Sequence, residues 1–121
     1  MTGIEQIATE RMRQVKQEGW TPEHDDEHDD GSLALAAICY AAPIPIFQCD
    51  KREMDEGCYV FVDPWPDSWD TSWDKRPYDH NKGERREPTP DERVRMLVKA
   101  GALIAAEIDR LQRAALKTAN V

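Results

Sequence analysis

The chain has 121 residues, of which 40% are hydrophobic and 33% are charged, a balance typical of one globular domain. Its net charge of −8 argues against the broad basic face that binding to a nucleic-acid backbone requires. No apolar run approaches the ~20 residues of a membrane-spanning helix, so no membrane association is expected. The three cysteines lack the CxxC spacing of metal ligands, which favours free thiols and a cytoplasmic location.

Hydrophobic periodicity predicts a helix over residues 3–18. Thr2 and Glu5 have the spacing of a capping box, and Gly19 supplies a stop signal. One charged side chain, Arg11, falls in the middle of the apolar face of this helix. A charge in that position must reach solvent, pair with an acid or contact a ligand.

Two further helices are expected, over residues 31–42 and 90–116. The former is apolar all round, which is typical of a buried helix, and we predict that it forms the centre of a three-helix core. The latter begins at Thr89-Pro90 and carries an apolar stripe that runs from Val94 to Leu111. Small residues suited to close packing predict a homodimer or a higher oligomer; they are Gly101, Ala102 and Ala105.

Between these two helices the pattern changes. Residues 44–62 contain two short β-branched and aromatic runs that predict a β-hairpin. Residues 63–88 hold half of the prolines and three tryptophans, and are too long for a neutral connector. The predicted fold is therefore mainly α, a single domain over residues 1–121 with an inserted hairpin and a long loop rich in Trp and Pro.

Potential metal ligands are concentrated in residues 23–30. His24 and His28 are four residues apart, so on a helix they would share one face. Carboxylates nearby suit a hard cation such as Mg²⁺ or Mn²⁺. The alternative is that these acids only cap the next helix and are solvated. The hypothetical metal site comprises His24, Asp25, Asp26, His28 and Glu107.

Aromatic and basic residues indicate a different site, for a base and its phosphates. The loop tryptophans recur every four residues, and exposed indole rings stack on bases, although such residues also seal protein cores. A guanidinium held on an apolar face suits a phosphate or a carboxylate, unless it is simply paired with an acid. The residues assigned to ligand binding are Arg11, Arg13, Trp20, Trp65, Trp69 and Lys99.

Two segments resemble known proteins. Glu10-Arg11-Met12-Arg13-Gln14 followed by EGWTPEHDD at residues 18–26, and RVRMLVKAGALIAAEIDRL at residues 93–111, are similar to a group of small phage and prophage proteins. They cover less than half of the chain. The resemblance implies a phage accessory role in the host cytosol, with the hairpin and loop as a variable insert.

A looser similarity connects the chain with the MazG-type all-α nucleotide pyrophosphohydrolases. Those enzymes hold Mg²⁺ with an ExxE pair on one helix and an ExxD pair on the next. Here Glu107 is followed by Asp109, and Arg110 stands where the second acid of the pair would be.

Three hypotheses from different classes follow. The first is a non-catalytic phage protein that sequesters a small phosphorylated nucleotide, such as a host immune signal, and needs no cofactor. The second is a pyrophosphohydrolase dependent on Mg²⁺ or Mn²⁺. The third is an acidic mimic of nucleic acid that binds a basic host protein. The first is preferred because aromatic and basic groups are present whereas the paired acids of hydrolysis are incomplete.

Overall fold

The computed structural model describes residues 1–55 and 58–119, with residues 51–55 and 58 described by their backbone alone. It confirms that the protein is mainly α. The helices in the described part of the chain are α1 (Gly3–Gln17), α2 (Pro22–Asp26), α3 (Ser32–Ala41) and α4 (Pro90–Ala119). The strands are β1 (Gln48–Asp55), β2 (Cys58–Val62), β3 (Tyr78–Asp79) and β4 (Glu84–Arg85).

The predicted capping box of α1 is confirmed. The Thr2 side chain accepts a hydrogen bond from the Glu5 amide, and the Glu5 carboxylate accepts one from the Thr2 amide. The chain leaves α1 through Gly19, whose φ of +73° lies in the left-handed region that glycine adopts without a steric penalty. This turn directs the following residue, Trp20, into the core, where it is 8% exposed.

A short helix, α2, forms in the acidic segment. Thr21 caps it by accepting a hydrogen bond from the His24 amide, and Pro22 occupies the first turn, where a missing N–H costs nothing. The helix packs on α4 and buries Asp25 completely. At least one acid of this segment is therefore held by tertiary contacts and is not solvated.

Helix α4, and not α3, occupies the centre of the helical packing. It contacts α1, α2 and α3, and it buries Leu103 and Ala106 in the common core. Helix α3 packs on α4 through Ala36 and Ala37, but Ile38 is 52% exposed, so the prediction of a central apolar helix is wrong. Helix α3 is buried on the sides that α4 and the tryptophan-containing loop cover, and Ile38 lies outside both contacts.

The apolar stripe predicted for α4 is only half-buried. The buried apolar side lies around Met96, Ala100 and Leu103. Ala102 is fully buried in its own chain, and a Cβ added at Gly101 would lie 2.6 Å from Cδ1 of Ile7. The close-packing positions from which an oligomer was predicted are thus largely used within one chain.

The inserted region consists of a hairpin and a loop held by ion pairs. β1 and β2 pair antiparallel, from Gln48 opposite Val62 to Asp55 opposite Cys58. The following loop includes a 3₁₀ turn over Thr71–Trp73 and the two-residue pair β3–β4. Arg76 is 9% exposed and binds the carboxylates of Asp63 at 3.1 Å and Asp74 at 2.9 Å. Among the described helices, none is both long and apolar enough to cross a bilayer.

Candidate functional site

A cleft lies where the end of α1, the tryptophan loop, α3 and α4 meet. Its volume is about 240 Å³, and we refer to it as the tryptophan cleft. Ten residues line it: Gln14, Glu18, Trp20, Tyr40, Trp69, Ser72, Trp73, Lys75, Lys99 and Leu103. The cleft thus combines four aromatic side chains with amide, hydroxyl, carboxylate and ammonium groups.

Three indole rings form its aromatic wall. The rings of Trp20, Trp69 and Trp73 contact one another edge to face, with centroids 5.2 to 5.5 Å apart. Trp20 and Trp69 are buried, whereas Trp73 is half-buried and keeps part of its ring accessible. The wall is consequently rigid on its inner side and open on its outer side.

The loop that carries this wall is fastened to α3 by Tyr40. Its hydroxyl donates to the carbonyl of Trp73 at 3.2 Å and accepts from the backbone N–H of Lys75 at 2.9 Å. Burial raises the pKa of Tyr40 to about 12, despite the hydrogen bond from the Lys75 amide. The hydroxyl is therefore a structural group that holds the C-terminal end of the 3₁₀ turn in place.

A buried carboxylate next to the cleft organises its cationic side. Glu10 is 1% exposed and accepts hydrogen bonds from Arg13 at 2.7 and 2.9 Å, from Arg95 at 2.6 Å and from Lys99 at 3.4 Å. Burial opposes ionisation of Glu10, but these three cations outweigh it and lower its pKa to about 2. One carboxylate thus binds three cationic side chains, and one of these, Lys99, also lines the cleft.

Two buried polar atoms of cleft residues have no hydrogen-bond partner among the described residues. Gln14 is 4% exposed, and its Nε2 donates to Glu10 at 3.3 Å while its Oε1 accepts nothing. Trp69 is also 4% exposed, and its Nε1 donates no hydrogen bond. Buried polar atoms are normally paired, so this acceptor and this donor, both on residues that line the cleft, are exceptions that call for an explanation.

The six predicted ligand-binding residues divide into two groups. Trp20, Trp69 and Lys99 line the tryptophan cleft. The other three lie elsewhere. Arg11 pairs with the fully buried Asp25 and also donates a hydrogen bond to the Trp20 carbonyl. Its guanidinium is therefore paired with an acid of the chain, the alternative to phosphate binding.

The remaining two predicted ligand residues also have partners in the chain. Arg13 binds Glu10 and, at 3.0 Å, Glu18. Trp65 packs under the guanidinium of Arg76, 5.3 Å from its ring centroid. Both side chains are therefore engaged by other residues of the chain, and neither lines the cleft.

The five predicted metal ligands do not converge. His24 and His28 do lie together, with their Nε2 atoms 3.4 Å apart, and burial together with His24 lowers the pKa of His28. The three acids, however, each pair with an arginine: Asp25 with Arg11, Asp26 with Arg113 at 2.9 Å, and Glu107 with Arg110 at 2.5 Å. In the described ranges, no group of three or more His, Cys, Asp or Glu side chains could hold a metal ion.

Sequence reasoning missed several residues of the site. Gln14, Trp73 and Lys75 line the cleft, and Glu10 supports it, yet none was among the six residues assigned to ligand binding. A usable signal was present: Glu10 and Gln14 are four residues apart on α1, and Arg95 and Lys99 are four apart on α4. Matching polar pairs on two apolar helices predict that the helices pack with those pairs facing each other.

Comparison of the chain with protein-family models, with curated proteins and with solved structures found no match. The chemistry of the tryptophan cleft therefore carries the functional argument.

Proposed function

We propose that the tryptophan cleft binds a small planar ligand that carries phosphate, such as a nucleotide, and retains it without conversion. The observation that carries the proposal is the combination, in one cleft, of a half-buried indole, two lysines and two buried polar atoms without partners. Ligand sites typically join apolar walls to a few well-placed polar groups in this way.

The polar atoms match the edge of a nucleobase. The Gln14 Oε1 accepts hydrogen bonds and the Trp69 Nε1 donates them, while bases present amino donors and ring-nitrogen or carbonyl acceptors side by side. The accessible part of the Trp73 ring offers a surface on which the base can stack. A ligand that satisfies both atoms would remove the cost of leaving them unpaired.

The charges at the cleft suit the phosphate. Two ammonium groups, Lys75 and Lys99, line it with one carboxylate, Glu18, which Arg13 already neutralises. Burial lowers the pKa of Lys99, which the charge of Glu10 partly opposes. A desolvated ammonium gains more than an exposed one when an anion approaches, because its own hydration has already been lost.

The proposal does not include turnover because the reactive groups near the cleft are engaged in other contacts. Glu10 is bound by three cations, and the Tyr40 hydroxyl makes two hydrogen bonds. Burial raises the pKa of Cys39 to about 11, so its thiolate is disfavoured. No specific observation favours the metal-dependent hydrolase or the acidic mimic; several acids of the chain are paired internally.

Capture without conversion assigns the protein a role in lowering the free concentration of its ligand. A phage accessory protein of this kind would remove a nucleotide signal of the host, including an immune signal. This role rests on the binding proposal and on the resemblance of the two segments to phage proteins.

The test is binding to a panel of linear and cyclic nucleotides, followed by denaturation and mass analysis of what is released. We expect intact ligand to be recovered. Trp73→Ala removes the stacking surface and should weaken binding by about 5- to 150-fold, from the ~1–3 kcal/mol typical of base stacking on aromatic rings. Lys75→Ala should weaken it by about 10-fold and reduce its salt dependence.

Lys82→Ala is the matched control, because Lys82 is an exposed lysine of the same loop that does not line the cleft. Its binding should equal that of the unmodified protein. Recovery of an altered nucleotide would replace capture with catalysis. Absence of binding by the whole panel would contradict the proposed function.

A further inference from the structure

The outer side of α4 is apolar and exposed. Five aliphatic residues on it are each between 45% and 54% exposed: Val94, Leu97, Ile104, Ile108 and Leu111. We call them the α4 seam. Other residues of the same helix, such as Met96, Leu103 and Ala106, are buried against the rest of the chain, so the seam lies on a different side of α4.

Four of the charged residues of α4 lie towards the rest of the chain or on the flanks of that side. Arg95 and Lys99 bind Glu10 of α1, Arg110 is 9% exposed, and Arg113 binds Asp26 of α2. A helix at the surface of a monomer normally shows the reverse arrangement, with charges outward and aliphatic residues inward. The row of exposed aliphatic residues on α4 departs from that arrangement and is typical of a surface that a partner covers.

The spacing of the seam is that of a coiled coil. Val94, Leu97, position 101, Ile104, Ile108 and Leu111 follow one another by alternating steps of three and four residues. Five of the six positions are aliphatic, and at the sixth, Gly101, Ile7 of α1 fills the gap. The seam extends for about 26 Å, from the ~1.5 Å rise of a helix per residue.

The surface area of the chain agrees with a missing partner. The chain exposes 8322 Å² for a mass of 13.9 kDa. A compact monomer of that mass exposes about 6,700 Å² from the usual scaling of area with mass. The excess is about 1,600 Å², whereas a standard interface takes about 800 Å² from each partner.

We propose that the α4 seam is a homodimer interface and that its occupant is the α4 seam of a second copy of this chain. Alternating three- and four-residue steps make the seam complementary to itself, as a two-fold symmetric contact requires. The seam itself contains no charged or hydrogen-bonding side chain that would select a different partner. The tryptophan cleft receives Lys99 and Leu103 from the inner side of α4, so the dimer leaves it open.

The experiment is sedimentation velocity over a range of protein concentrations, with circular dichroism to check folding. The unmodified protein should sediment at about twice its chain mass of 13.9 kDa. The double variant Ile104→Lys/Ile108→Lys should sediment as a monomer with unchanged helical content, because both positions are about half exposed and a lysine there reaches solvent.

Asp109→Lys is the matched control, since Asp109 is exposed on the same helix but lies about 100° from Ile108 around the axis. It should remain a dimer. A monomeric unmodified protein at about 100 μM would overturn the proposal. So would a lysine double variant that stays dimeric while Phe61→Asp, a change on the exposed face of the hairpin, dissociates it. Nucleotide binding by the monomeric variant should persist, which separates this test from that of the proposed function.

Discussion

Replacing Glu10 with glutamine isolates the contribution of one buried charge to stability. Glutamine keeps the size of the side chain but removes the negative charge that three cations share. The pKa of Glu10 falls from 4.5 to about 2, which corresponds to about 3 kcal/mol in favour of the ionised folded state. Arg13 and Arg95 are partly exposed and regain some hydration in the variant, so we expect a loss of about 2–3 kcal/mol at neutral pH.

The assay is urea unfolding followed by far-ultraviolet circular dichroism at several pH values. A carboxyl whose pKa is lowered by folding stabilises the folded state above its unfolded pKa, and this contribution is lost as the pH falls through its folded pKa. The difference between the unmodified protein and Glu10→Gln should therefore be largest at pH 7. It should shrink as the pH falls from about 4.5 to about 2.

The matched control is Glu92→Gln. The pKa of Glu92 is also lowered to about 2, mainly by the hydrogen bond from Arg86, but this carboxylate is at the surface. Glutamine also preserves its capping interaction with Thr89. We expect a much smaller loss of stability than for Glu10→Gln, because water screens an exposed pair. Equal losses in the two variants, or a Glu10→Gln deficit that does not change with pH, would refute the reasoning.

Three further changes test the packing around the site. Gly101→Ala should lower stability by about 1–2 kcal/mol in calorimetry, although alanine favours helix, because its Cβ would overlap the Ile7 side chain. The same change should be neutral or stabilising in an Ile7→Ala background, and a higher melting temperature for Gly101→Ala alone would argue against the clash. Tyr40→Phe removes two hydrogen bonds and should cost about 1–2 kcal/mol. Because folding raises the pKa of Tyr40 from 10 to about 12, its contribution is present below pH 10 and lost as the pH rises towards 12, so the variant should show a smaller alkaline loss in urea titrations. Arg11→Met leaves Asp25 buried without its cation and should cost about 3 kcal/mol, whereas unchanged urea midpoints would show that the pair contributes nothing.

The mainly α composition and the signals at helix ends could be derived from the sequence. The capping box at Thr2 and the proline in the first turn of α4 act through the nearest few residues, so their physics is local. The tryptophan loop was also recognisable as unusual, since so many aromatic residues are rarely found in a connector. Of the three predicted ligand residues that line the cleft, Trp69 belongs to this loop, whereas Trp20 and Lys99 come from other parts of the chain.

The predictions that failed depended on which partner each side chain would meet. An apolar α3 looked central because its sequence has no polar side, but a short helix is buried only as far as its neighbours extend. The sequence pattern suggested that the acids of α2 bind a metal, but in the structure they pair with Arg11 and Arg113, which come from other helices. Ion pairs over such separations leave no periodic signal in the sequence.

The sequence by itself determined the local features of this protein: helix starts and stops, the hairpin, and the class of residues available for a ligand. Only the tertiary structure decided that Glu10 would collect three cations, that Gln14 and Trp69 would keep unpaired polar atoms at one cleft, and that aliphatic residues of α4 would face outward. The physical reason is that propensities and caps act within a few residues, whereas burial and charge pairing depend on how whole helices pack together.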